Sequence, residues 1–206
     1  MTKQIKLYIA GHKGMVGSAC VRKFEKEKEF KLLLPDRQKL DLRNKEAVEN
    51  FFAAEQPDWV IMAAAKVGGI IANQSFLAEF LLENLEIQNN VIVAAQKNAV
   101  KKFCFLGSSC IYPRESAQPI REEYLLSGKL EPSNEAYALA KIAGIKLCSY
   151  LRSQYQFPVF SLMPCNLYGT GDNYHPEYSH VFPAMIRKFS LAVKNQETSI
   201  EFWGSG

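Results

Sequence analysis

Tyr137 and Lys141 lie four residues apart in Tyr137-Ala-Leu-Ala-Lys141, inside a run of helix-forming residues. Four residues make about one helical turn, so both side chains leave the same face and can reach one site. Such a pair can pass a proton to or from a carbonyl oxygen. A phenol ionises near pH ~10, and making it exchange protons at neutrality takes a bias of roughly 3 units, or ~4 kcal/mol, towards phenolate. An exposed helical charge pair is worth only ~0.3–0.5 kcal/mol, so the chemistry demands a water-poor pocket and a second positive charge, such as an oxidised nicotinamide. The chain has nine tyrosines, and this is the one with lysine at that spacing.

Further groups with chemical potential stand in loops. Gly107-Ser108-Ser109-Cys110 follows an apolar run ending at Leu106; Ser108 or Ser109 can hydrogen-bond a carbonyl or can simply satisfy turn backbone. Cys110 and His180 have reference pKa values near ~8.5 and ~6.5 and could exchange protons near neutrality; the alternatives are a thiol buried beside a turn and a capping loop histidine. In Gly11-His12-Lys13-Gly14-Met15-Val16-Gly17, three glycines spaced by three permit a tight turn, close approach of backbone N–H groups to a pyrophosphate, and close helix–strand packing. Asp36 and Arg37 stand where a dinucleotide fold meets the adenosine ribose. An acid there favours NAD and an arginine accommodates the 2′-phosphate of NADP; with Lys13 as a second cation, NADP is expected, unless both are only turn residues. Asp41 and Leu42 could flank the adenine.

These groups need a scaffold. Apolar, β-branched runs over residues 5–10, 30–34, 58–65, 102–106 and 158–163 read as strands, and amphipathic periods over 15–26, 45–55, 75–98 and 135–154 read as helices. On the first of these helices Val16, Ala19, Cys20, Val21 and Phe24 are expected inward. Strict alternation implies an α/β fold, a doubly wound parallel sheet of Rossmann type, with ligands at the carboxyl ends of its strands. The turns after the first, fourth and fifth strands then converge: the glycine loop, the 106–110 turn, and Pro164-Cys165-Asn166-Leu167. The implied reaction is hydride transfer, with Ser108 holding a carbonyl, Tyr137 protonating it, and Lys141 holding the nicotinamide ribose while lowering the phenol's pKa. Residues 1–165 are expected to form the cofactor domain and 166–206 the start of a smaller substrate-binding lobe.

With 206 residues and 48% hydrophobic content the chain can bury one sizeable core. The net charge of +4 is dispersed, and the basic segment over residues 23–31 alternates with glutamates, which argues against nucleic acid as a partner. No run is apolar enough for a signal peptide or a bilayer span, so a cytoplasmic protein without a membrane partner is expected. Five cysteines without a Cys-x-x-Cys pair support neither a disulfide framework nor a metal site. His175 reads as a surface residue.

The glycine triplet, Ser108-Ser109 and Tyr137-x-x-x-Lys141 resemble the extended short-chain dehydrogenase/reductase family that acts on nucleotide-sugars. Ala63-Ala-Ala-Lys-Val-Gly-Gly-Ile70, Leu106-Gly-Ser-Ser-Cys-Ile-Tyr-Pro113, Asn134-Glu-Ala-Tyr-Ala-Leu-Ala-Lys-Ile-Ala-Gly144, and Asn173-Tyr-His-Pro with Ser179-His180-Val extend the likeness along the whole chain. They are most similar to the branch converting GDP-4-keto-6-deoxy-D-mannose to GDP-L-fucose with NADPH. That resemblance implies a GDP-sugar substrate, a homodimer, and Cys110 and His180 as the acid and base that invert C3 and C5. It implies contacts to NADP(H) from the glycine loop (Gly11, His12, Lys13, Gly14, Met15, Val16, Gly17), Arg37, Asp41, Leu42, Leu106, Gly107, Ser108, Ser109, Tyr137, Lys141, Pro164, Cys165, Asn166, Leu167 and His180. For substrate it implies Ser108, Ser109, Cys110, Asn166, Lys188 and Trp203. Family members continue well past Gly206, so much of the substrate lobe is expected outside these residues. The alternatives are another nucleotide-sugar dehydratase or epimerase, or a non-catalytic NADP-binding module.

Overall fold

The structure, a computed structural model, describes residues 3–201; Trp203 lies outside them. Five strands, β1 (Ile5–Ala10), β2 (Phe30–Leu33), β3 (Trp59–Met62), β4 (Lys102–Leu106) and β5 (Val159–Leu162), form one parallel sheet in the order β2-β1-β3-β4-β5. Registers such as Leu7↔Trp59 and Ile61↔Cys104 keep the carboxyl ends level. The order reverses between β1 and β3, which puts the switch point, where parallel α/β sheets bind their ligands, at the carboxyl edge of these two strands.

Among the described residues six α-helices flank the sheet: α1 (Met15–Phe24), α2 (Lys45–Glu55), α3 (Ile70–Ser75), α4 (Leu77–Lys97), α5 (Glu135–Tyr155) and α6 (Val181–Asn195). The helix expected over 75–98 begins earlier, at Ile70, and is broken at Phe76, whose φ of −131° and ψ of 46° are not helical. β3 ends at Met62 rather than Ala65; Ala63 still donates its N–H to the Ala10 carbonyl at 3.0 Å, and Ala64 abuts the Gly11 turn.

The two faces of the sheet are covered unequally. Tyr8, Ala10, Val60, Met62, Phe103, Phe105 and Val159 alternate along their strands onto the face under α2, α4 and α5, where they meet Val48, Phe52, Val91, Ile92, Ala95 and Cys148 in the main core. The opposite face packs α1 over β1 and β2. Away from α1 it thins: Phe160 is 46% and Leu162 50% exposed on the edge strand β5. A strand buried on both sides therefore describes β1 but not β5. On α1, Ala19 is exposed, contrary to its expected inward position, and Gly17 is the buried residue. Among the described residues no helix is long and apolar enough to cross a membrane.

Candidate active site

The glycine loop is built around two close backbone approaches. Gly11 has φ +81°, and a Cβ there would lie 2.7 Å from the Ala64 nitrogen, so this turn and the alanine turn after β3 touch backbone to backbone. A Cβ on Gly17 would run into the Gly11 carbonyl, which explains the glycine inside α1. Gly14 differs: its φ of −73° suits any residue and the nearest atom to a Cβ would be 3.4 Å away, so neither strain nor packing demands glycine. Gly14 caps α1 without a side-chain cap and no acid occupies the first turn. The first-turn N–H groups face a Cβ-free surface, which fits the pyrophosphate of a dinucleotide.

Beside the β2 end, Asp36 accepts Lys13 Nζ at 2.7 Å and lies 3.6 Å from His12 Nε2. The Lys13 ammonium holds the Asp36 carboxyl below its ordinary range. Lys13 thus stands as a second cation at the β2 end, engaged with Asp36. Arg37 is exposed and belongs to no ion pair among the described residues. Asp41 is bound by Arg43 through Nη2 at 2.7 Å, which lowers its pKa to about 2, and Leu42 packs on the core.

At the carboxyl end of β4, the Gly107 N–H donates to the Leu162 carbonyl (2.8 Å) and the Ser109 N–H to the Pro164 carbonyl (3.2 Å). The turns after β4 and β5 are therefore tied together. Ser108 Oγ accepts from the Cys110 N–H at 3.4 Å, starting a single 3₁₀ turn over Ser109–Ile111. α5 packs close on β4: a Cβ on Gly144 would lie 2.5 Å from the Phe105 ring. This brings Lys141, 3% exposed, under the sheet end, where Nζ donates to the Leu106 carbonyl at 2.8 Å and sits 4.9 Å from the Phe105 ring centroid and 5.7 Å from that of Tyr137.

Burial governs the electrostatics. It pulls Lys141 down to about 8 and pushes the Tyr137 phenol well up, with Cys110 adding to the latter. It also raises the Cys110 thiol, against opposing contributions from Ser108 and from Lys141. Cys110, Tyr137 and Lys141 therefore act on one another in one pocket. Lys141 is not among the groups that move the phenol; burial and Cys110 both raise it. A phenol held neutral is a proton donor, and an ammonium beside it stabilises the phenolate that donation leaves.

The remaining expected residues lie on the turn after β5, at the N-terminus of α6 and within α6. Cys165, Asn166 and Leu167 are exposed on the turn after β5. His180 is exposed and caps α6 by its backbone, its carbonyl accepting the Ala184 N–H at 3.1 Å. Lys188 Nζ donates to the Glu201 carbonyl at 3.1 Å. His175 is structural as expected: its Nδ1 accepts the N–H groups of Glu177 and Tyr178, both at 3.2 Å.

The model of the NAD dependent epimerase/dehydratase family matches residues 7–206, from β1 to the chain's end. The chain belongs to that family. Among curated epimerase/dehydratase relatives, it is 53% identical over 206 residues to a putative GDP-L-fucose synthase 2 of Arabidopsis thaliana and 51% identical over 206 residues to the GDP-L-fucose synthase of Escherichia coli K12. These alignments cover all of this chain but 63% and 64% of the relatives, so the chain spans somewhat under two thirds of their length. A solved GDP-L-fucose synthetase of Naegleria fowleri bound to NADP superimposes with a TM-score of 0.87 at 31% identity, covering 100% of this chain and 67% of that one.

Within this epimerase/dehydratase frame, three polar residues of α4, none of them expected from the sequence, pin the loops at the carboxyl edge. Asn84 accepts the Lys66 N–H (2.8 Å) and donates to the Lys66 carbonyl (3.0 Å), fixing the turn after β3. Gln88 donates to the Ala140 carbonyl at 2.6 Å, between Tyr137 and Lys141. Asn90 donates to the Leu42 carbonyl at 2.9 Å. Their signal is visible in hindsight: Asn84 and Gln88 interrupt the apolar stripe of α4 at helical spacing after Phe80, and a buried polar group needs a partner.

Proposed function

We propose that the protein carrying this chain converts GDP-4-keto-6-deoxy-D-mannose to GDP-L-fucose by inverting C3 and C5 and then reducing the C4 ketone at the expense of NADPH. The observation that carries this reading is the shared pocket of Cys110, Tyr137 and Lys141 at the Ser108 turn, where a thiol adjoins a proton-donating phenol. A reductase alone needs no thiol there. The close sequence likeness to GDP-L-fucose synthases supports the same substrate.

Ser108 and Tyr137 hold the C4 carbonyl oxygen, and the polarised ketone acidifies the protons on its neighbouring carbons. Cys110 and His180 remove and return those protons on opposite faces. Tyr137 then protonates the C4 oxygen, and Lys141 stabilises the resulting phenolate and holds the nicotinamide ribose. NADPH, when bound, supplies the hydride to C4. The first-turn N–H groups of α1 hold its pyrophosphate, Arg37 its 2′-phosphate, and Asp41 and Leu42 flank its adenine, with Leu106, Gly107, Ser109 and the Pro164–Leu167 turn along the nicotinamide half. Asn166, Lys188 and Trp203 hold the GDP-sugar.

Residues 1–165 form the NADP domain, and 166–206 begin the substrate lobe. The protein is a cytoplasmic homodimer pairing through α4 and α5, whose outer surfaces expose Leu82, Leu139 and Tyr150. The test is solvent exchange: full-length protein incubated with the keto-sugar in deuterium oxide without NADPH incorporates deuterium at C3 and C5. Cys110→Ala stops incorporation, whereas Tyr137→Phe keeps it and stops reduction. No incorporation by the unaltered protein would refute the epimerase reading.

A further inference from the structure

We infer that Gly69, supported by Asn73, is a positioning residue for His180, and that α3 is the spacer setting His180 against Tyr137; this rests on the epimerase reading above. Gly69 has φ −66° and ψ −177°, a conformation open to any residue, so its backbone does not require glycine. Its surroundings do. A Cβ on Gly69 would run into the Ser179 carbonyl oxygen and lie 3.1 Å from that carbonyl's carbon and 3.3 Å from the Tyr178 oxygen. The Gly69 N–H donates to the Tyr178 carbonyl at 2.9 Å, so the segment immediately before His180 is laid directly on this residue.

Two further contacts lock the arrangement. Asn73, 5% exposed, donates through Nδ2 to the carbonyls of Gly68 (2.8 Å) and Gly69 (3.1 Å), fixing the orientation of that peptide pair. Phe76 packs edge-on against the Tyr178 ring with centroids 6.4 Å apart. On its other side α3 packs against the turn Pro132–Asn134, which runs directly into α5 three residues before Tyr137. One short helix thus touches the segment leading to His180 and the turn leading to Tyr137. A shift of either side of α3 moves the imidazole relative to the phenol and its neighbouring thiol, and displacements of about 1 Å can cost ~10²-fold in rate.

The test is a double-mutant cycle on deuterium incorporation at C3 and C5 in the full-length protein. Gly69→Ala is expected to slow incorporation about tenfold to a hundredfold while leaving the NADPH dissociation constant within about twofold, since the cofactor loop is not touched. In the His180→Ala background, adding Gly69→Ala is expected to cause no further loss, because a positioning residue has nothing left to position. Equal losses in both backgrounds, or unaltered exchange in Gly69→Ala, would overturn the inference. An unaltered rate in His180→Ala would instead remove the epimerase reading and the inference with it, so the two failures are distinguishable. Should Gly69→Ala not fold, Asn73→Ala, which leaves the Gly69–Ser179 approach intact, carries the same cycle with an expected loss of about threefold to tenfold.

Discussion

Replacing Lys141 by methionine, a side chain of similar length without the charge, tests the balance between stability and chemistry in this pocket. Burial lowers Lys141 from 10.5 to about 8. At 1.36 kcal/mol per unit, holding the ammonium in this pocket at pH 7 costs roughly 3 kcal/mol. Lys141→Met removes that cost but strips the Leu106 carbonyl of its 2.8 Å donor, a loss of ~1–3 kcal/mol. The net expectation at pH 7 is a gain of about 0–2 kcal/mol, or a Tm higher by up to roughly 8 °C at about 2–4 °C per kcal/mol, with reduction abolished. The pH dependence carries a sign. Between pH 8 and 10.5 the folded wild type releases the Lys141 proton while the unfolded chain still holds it, so the unfolded state binds more protons and wild-type stability rises with pH. The advantage of Lys141→Met must therefore shrink as pH climbs from 7 towards 10. Calorimetric or fluorescence melts of both proteins at several pH values decide it. A variant less stable than wild type at pH 7 by more than about 1 kcal/mol, or a difference indifferent to pH, would refute the assignment of a destabilising buried ammonium.

The glycines of the loop separate into two kinds by their neighbours. Gly17→Ala, whose Cβ meets the Gly11 backbone, lowers Tm by several degrees, whereas Gly14→Ala costs about 1 kcal/mol or less of stability and weakens NADPH at least about tenfold; thermal melts and fluorescence titration check both. For cofactor choice, Arg37→Ala weakens NADPH by about tenfold to a hundredfold and leaves NADH nearly unaffected; equal effects on the two would remove Arg37 from the 2′-phosphate. Lys13→Ala unmasks the Asp36 carboxylate, which Lys13 holds at 2.7 Å, and therefore also disfavours NADPH through repulsion.

Much of this could be read along the chain because it depends on near neighbours. Strand and helix periods, the Gly11 turn and the one-turn spacing of Tyr137 and Lys141 are set by residues within a few positions of one another, so all five strands and the helix bearing the pair are legible in the sequence. Boundaries moved where tertiary contacts intervene, as at the break at Phe76, whose own ring packs on Tyr178. On α1 the buried residue is Gly17, where a Cβ would meet the Gly11 backbone, and Ala19 is exposed.

The amino-acid sequence alone determined the kinds of chemistry available here: a phenol, an amine, a thiol, an imidazole and a phosphate-accepting loop, in an order that only an alternating α/β sheet brings together. Only the tertiary structure decided their states and their supports. Desolvation is a property of the assembled pocket; it raises the Tyr137 phenol further and brings Lys141 down to about 8, against the simple expectation from adjacent charges. Lys13 is given to Asp36, and Gly69 to Ser179, by contacts between segments 23 and 110 residues apart, which no local pattern encodes.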